Sequence, residues 1–353
     1  MSGVAMGWRR RAAAAAVALW VLGSRLAAQP PDPQAELRQA MERFTAGDTA
    51  GAERALQELA RRYPETWQIR LALGRVLIGR KRPLEALPHL EAAASRAPGE
   101  FDPHSALGQA YALAKRLSEA EREFRAALEL RPADPLSHFN LGRIFLLQEQ
   151  YAQALPEFEQ ALSGTSDAHR RPMMHQNLAA VLRALGRPSQ AVPHLEEYLR
   201  ARPEDVDARL QLASLQFDLS AYDASLASVQ EALERDARQP DALYLKGMLC
   251  KIKGRNDDAI ASFRAALGAR SDFTRARYQL ATVLSEAGRD AEVEEPLRLV
   301  LEAEPEHPNA HYLMSTVLRR LGRGSEADAE LAIHNRIAEE QRARGRTVVA
   351  GPE

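Results

Sequence analysis

A single cysteine, Cys250, stands in 353 residues. An internal disulfide is therefore excluded, and no Cys or His sits at metal-ligand spacing from it, so burial is its expected state. Aromatic residues make up only 6%, and Val, Ile and Thr are sparse beside Ala, Leu, Arg, Glu and Gln. That balance disfavours a sheet of any size and predicts an all-α chain. Net charge is nearly absent, at −1, which leaves no electrostatic footprint for nucleic acid or an anionic membrane. Lysine occurs only at Lys81, Lys115, Lys246, Lys251 and Lys253; the Arg-rich, Ala-rich remainder reads as the coding bias of a GC-rich bacterial genome. Also missing are a Gly-rich phosphate loop, a nucleophile elbow and a His-Glu-x-x-His motif. No catalytic residue, cofactor or metal ligand is assigned, and the chain reads as a non-enzyme.

The N-terminal apolar stretch, Ala12 to Gly23, is too short to span a bilayer, which takes about twenty residues. It follows Arg9, Arg10 and Arg11 and ends near Ala27 and Ala28, the three-part form of an export signal. The expectation is a signal peptide over 1–28, a Pro-rich spacer over 29–32, and a periplasmic or secreted protein not inserted in the membrane after cleavage. Leu26 occupies a place where a cut after Ala28 prefers a small residue. The alternative is an uncleaved signal that tethers the chain to the inner membrane. No Cys near the cut offers lipid attachment.

What is present is a period of 34 residues. The clearest unit, Phe101 to Asp134, carries Leu107-Gly108-Gln109-Ala110-Tyr111, then Ala120, Phe124, Ala127-Leu128 and Pro132. Units begin near Pro33, Trp67, Phe101, Pro135, Pro172, Val206, Pro240, Thr274 and Pro308, with three extra residues only in the loop around Ser163 to Arg171. Small residues recur where two helices of a pair would approach most closely: Gly74, Gly108, Gly142, Ala179, Ala213, Gly247, Ala281 and Ser315 on the first helix, and Ala52, Ala86, Ala120, Ala154, Ala191, Ser225, Ala259 and Ala327 on the second. Val293 is the exception. Large apolar residues follow four positions after the second set, as at Leu90, Phe124, Phe158 and Phe263. Gly47, Gly186, Gly254, Gly288 and Gly322 end first helices, and Pro64, Pro98, Pro132, Pro203 and Pro305 end second ones.

This pattern resembles the tetratricopeptide repeat, in the exported bacterial type. The resemblance implies a right-handed α-solenoid of stacked antiparallel helix pairs, about nine repeats over 33–340, with a polar tail over 341–353. The first repeat departs from it at Gln39 and Arg43, as a terminal capping unit would. His104, His138 and His311 recur at one place in the repeat where the family often has Trp; His89 and His194 recur at another. Recurrence at the structural period points to packing rather than to metal binding.

In the family the concave surface is lined by first-helix residues. Carried onto this chain, those positions give Phe139, Asn140, Arg143, Gln176, Asn177 and Arg183, and then an aromatic ladder of Tyr244, Tyr278 and Tyr312. Asn bonds a peptide backbone through donor and acceptor, Arg grips a carboxylate, and Tyr offers a rigid contact. The clamp by which related co-chaperones hold a terminal carboxylate is not reproduced: Ser105, Gln109, Met173 and Asn177 stand at its positions, and only Asn140 matches. The implied function is a non-catalytic protein–protein interaction scaffold of the cell envelope that binds a peptide segment or protein partner. A second reading is an accessory subunit of an envelope enzyme or export complex, docking through its convex face or termini.

Overall fold

A computed structural model describes residues 32–349, with side chains to 342. The expected signal peptide and most of the spacer lie outside the described residues. Every described element is helical: eighteen α-helices and one 3₁₀ turn, with no strand among them.

The chain divides into two compact units between Thr165 and Ser166, inside the loop that holds the three extra residues. In the first unit, α1 (Pro33–Thr45) pairs with α2 (Thr49–Arg62), α3 (Trp67–Gly79) with α4 (Pro83–Arg96), α5 (Phe101–Leu113) with α6 (Leu117–Leu130), and α7 (Pro135–Leu147) with α8 (Tyr151–Gly164). The second unit continues with α9 (Arg171–Ala184) and α10 (Pro188–Ala201), α11 (Val206–Asp218) and α12 (Tyr222–Arg235), α13 (Pro240–Ile252) and α14 (Asn256–Ala269), α15 (Thr274–Glu286) and α16 (Glu294–Ala303), α17 (Pro308–Arg320) and α18 (Gly324–Val349). In each unit the pairs stack as an α-solenoid.

Local chemistry sets the helix ends. Asp32, Asp134, Asp205, Gln239 and His307 accept a backbone N–H at the start of first helices, and Pro33, Pro135, Pro240 and Pro308 follow directly with a pre-set φ and no orphaned donor. The ends are uniform as well. Each first helix closes with the N–H two residues past its cap bonded back to the carbonyl of the last full turn, as in Arg82 to Leu77 and Arg255 to Cys250. That motif demands a left-handed residue in between. Glycine supplies it five times, but Lys81, Lys115, Glu149 and Ser220 adopt φ near +60° at the same place (59°, 61°, 59° and 60°).

The buried small residues sort by what faces them. A Cβ on Gly247 would stand 2.6 Å from Phe263, and one on Gly108 or Gly142 3.0 Å from Phe124 or Phe158; on Gly74 it would meet Leu90 at 2.4 Å. Where the first helix carries Ala179, Ala213 or Ala281, the equivalent residue of the second is Leu195, Val229 or Leu297. Except at Gly74 with Leu90, the pairs thus divide one volume between them, and each fully buried Phe contributes about 1.5–3 kcal/mol. Val293 is wholly buried, and there the second helix does not start cleanly. A 3₁₀ turn over Asp290–Glu292 precedes a ten-residue α16. The larger side chain at the close approach and Pro296, whose ring opposes the Glu292 carbonyl, account for the break.

Position four of the first helix ties successive repeats within each unit. His104, His138 and His311 each place Nδ1 against a glutamate of the following helix (Glu123, Glu157, Glu330; 2.8, 2.7 and 2.6 Å) and Nε2 against the carbonyl of Pro98, Pro132 or Pro305 (3.2, 2.8 and 2.9 Å). Arg70 and Arg209 donate to the equivalent carbonyls of Pro64 and Pro203. These histidines therefore bridge one repeat to the loop before it. Cys250 is buried in α13.

Candidate protein-binding surface

The structure distributes the first-helix candidates unevenly. In the first unit, Phe139 is only 8% exposed and packs edge-on against Phe158 at 5.8 Å. It belongs to the core, a correction to its placement on a binding face, because the ring turns toward the second helix of its own pair. Asn140 is half-buried, and Arg143 is exposed with its guanidinium 5.9 Å from the Phe139 ring centre.

In the second unit, Gln176 and Asn177 are half-buried and Arg183 is exposed. The Asn177 amide already donates to Met173 O at 2.7 Å within its own helix, leaving its second N–H and its carbonyl oxygen for a partner. Tyr244 and Tyr278 are half-buried and line one cavity of about 110 Å³ with Thr274, Arg275, Gln279, Glu304 and His307. Tyr312, 54% exposed, stands outside it against His334 at 5.3 Å. The ladder is therefore a pair plus one.

Each tyrosine of the pair is held by aromatic neighbours. Tyr244 meets Phe263 and Phe273 at 5.8 and 5.1 Å, and Tyr278 meets His307 at 4.7 Å. Burial raises both phenols above their ordinary range, so both remain neutral hydrogen-bond donors at physiological pH. His307 accepts the Ala310 N–H on Nδ1 at 3.1 Å; the neutral ring then carries its proton on Nε2 and is a donor there. Arg275 and Glu304 add one charge of each sign. Two phenols, an imidazole, a guanidinium, an amide and a carboxylate around a small cleft suit a polar peptide backbone with one ring or aliphatic group inserted. Glu304, Arg275 and His307 were not among the residues anticipated from the repeat. Glu304 and His307 lie in the loop before the last repeat, outside the first-helix positions that line the family's concave surface.

A stack of helix pairs with a mixed-polarity side-chain face defines a class of repeat protein whose fold serves protein–protein interaction. Tetratricopeptide repeat models match this chain over 37–101, 77–138, 133–204, 177–242, 210–272 and 252–315, without a gap from 37 to 315, and the chain belongs to the tetratricopeptide repeat family. It is similar to human (Homo sapiens) tetratricopeptide repeat protein 13, at 32% identity over 108 residues. That match takes in 30% of this chain and 12% of the human protein, so the chain spans a small part of that relative's length. Among solved structures it resembles the C-terminal part of a TPR repeat-containing protein from Cytophaga hutchinsonii (14% identity, TM-score 0.56, 69% of this chain and 99% of that one). It also resembles YrrB, described as a TPR protein with an unusual peptide-binding site (22% identity, TM-score 0.50, 54% and 96%). At these identities the likeness is one of fold. Among the described residues no helix is long and apolar enough to cross a membrane, and no group of three or more His, Cys, Asp and Glu is disposed around a metal site.

Proposed function

We propose that this protein is a non-catalytic scaffold of the bacterial cell envelope, exported through residues 1–28, whose first-helix face holds a peptide segment of a protein partner. The observation that carries the reading is the cleft shared by Tyr244 and Tyr278 with Arg275 and His307. It is the place where anticipated binding residues from successive repeats meet around one small cavity. Asn140, Arg143, Gln176, Asn177, Arg183 and Tyr312 extend the candidate face along the first helices of their own units. The peptide-binding site described for YrrB makes peptide the natural ligand class to test.

The test replaces Tyr244 and Tyr278 together by Ala, with Tyr312→Ala as a separate variant, and repeats affinity capture from native envelope extract. Loss of a partner in the double variant, with helicity unchanged by circular dichroism, supports the reading. Retention of every partner refutes it. Fractionation of cells expressing the full chain, with and without residues 1–28, tests the envelope assignment: the full chain in the periplasm and the truncated chain in the cytoplasm is the expected outcome.

A further inference from the structure

A second surface stands apart from the first-helix face, on the edge formed by the turns inside the second and third helix pairs. There a cleft of about 380 Å³ is lined by Lys81, Arg82, Pro83, Leu84, Glu85, Leu113, Ala114 and Lys115. Leu84 and Leu113 are 69% and 53% exposed, and Leu147, at the place equivalent to Leu113 one repeat on, is 63% exposed. Large apolar side chains so open to water on neighbouring turns form a patch rather than scattered singles.

The charges around it do not cancel. Arg82 is occupied by Glu85 and by Glu53, so its charge is met within the protein. Among the described residues, neither Lys81 nor Lys115 has an ion-pair or hydrogen-bond partner for its ammonium group. Both lysines also hold left-handed backbone, φ 59° and 61°, at the position where five other repeats have glycine. Both unpaired cations line the apolar cleft, which gives it a positive rim. The cationic stretch ends at the next repeat, where Glu149 holds the same turn position.

From this we infer that the edge binds an acidic segment of another protein, with a leucine-like side chain seated between Leu84 and Leu113 and carboxylates paired with Lys81 and Lys115. A concave cleft of this size takes a side chain, whereas a lipid surface calls for a flat or protruding one.

The test titrates the full chain against a short fluorescein-labelled peptide in which a leucine pair is flanked on both sides by glutamates, reading anisotropy. Saturable binding is expected, falling as salt rises. It should weaken about tenfold in Lys81→Gly/Lys115→Gly, the factor for losing two exposed charge pairs; glycine keeps both turns, so this variant folds. Leu113→Ser should weaken binding too, and Tyr244→Ala/Tyr278→Ala should leave it unchanged, which separates this surface from the cleft proposed above. Four results overturn the inference: no saturable binding; equal binding of the peptide with lysines in place of glutamates; unchanged affinity in the glycine double variant; or lysine-dependent sedimentation with phosphatidylglycerol vesicles in the absence of peptide binding.

Discussion

Replacing Gly247 by alanine isolates the volume sharing that spaces each helix pair. In an exposed helix this change stabilises by about 1 kcal/mol, because glycine is the poorer helix former. Here the new methyl would lie 2.6, 2.8 and 2.9 Å from three atoms of the Phe263 ring. Phe263 is fully buried and flanked by Tyr244 at 5.8 Å, so its ring has no free space to enter, and overpacking of this kind costs about 1–3 kcal/mol. The net expectation is a loss of up to about 2 kcal/mol after the helix gain is subtracted. In a Phe263→Leu background the pair becomes Ala with Leu, the combination already present at Ala179 and Leu195 and at Ala281 and Leu297. There the same substitution should be neutral or stabilising, which makes the coupling between the two positions about 1–3 kcal/mol. Because a repeat array does not unfold as one two-state unit, the assay is amide hydrogen exchange in α13 and α14 for the four members of the cycle. If Gly247→Ala costs the same in both backgrounds, the Phe263 contact is not what requires glycine.

Further outcomes follow from the turns and from the histidines. Glu149→Gly and Ser220→Gly should each stabilise by about 0.5–1 kcal/mol, the left-handed penalty less the entropy glycine loses on folding. Gly254→Ala should destabilise by about 1 kcal/mol, although nothing lies within 4 Å of its Cβ direction; amide hydrogen exchange in the helices flanking each turn checks all three. His175 and His194 meet Nδ1 to Nδ1 at 2.9 Å, where equivalent repeats pair histidine with glutamate. Their ring centres are 5.2 Å apart, which puts both nitrogens near the line between the rings. That is the geometry of one shared proton, with one ring accepting, and not of two lone pairs converging on a metal. Burial first, and His194 second, holds His175 below its ordinary 6.5, with Arg171 and Arg200 lowering it further and Glu197 opposing them. The unfolded chain therefore takes up the proton first. The stability contributed by the neutral pair is whole above about pH 6.5 and is lost as pH falls through that value toward the folded-state pKa. His194→Glu should flatten the acid-side decline in thermal midpoint between about pH 7.5 and 5.5. An unchanged slope would show that this pair does not set it.

Much of this architecture is visible in the amino-acid order. The 34-residue period, the small residues at the close approaches and the glycines and prolines that end many of the helices are read directly, because each answers to local backbone geometry or to a contact inside one helix pair. Val293 is visible as an irregularity, and its consequence, a 3₁₀ turn and a shortened α16, is the expected kind of response. The four left-handed turns at Lys81, Lys115, Glu149 and Ser220 are less legible, since the residues there do not announce the conformation. Only the repeat register places them opposite the glycines.

The candidate surfaces were legible only as positions. Membership of the tetratricopeptide family names which first-helix residues are eligible, and it treats Phe139 and Tyr244 alike. Tertiary structure separates them: Phe139 turns onto Phe158 and joins the core, while Tyr244 shares a cleft with Tyr278 and is closed in by Glu304 and His307 from the loop before the last repeat. The cleft between Leu84 and Leu113 was likewise outside the reach of the period, because its walls come from turns of two different repeats. The sequence by itself thus determined an all-helical repeat array and the spacing of its helices, which depend on steric rules repeated every 34 residues. Which side chains face water and which share a cavity were decided by packing between repeats, where each contact depends on the size of its neighbour.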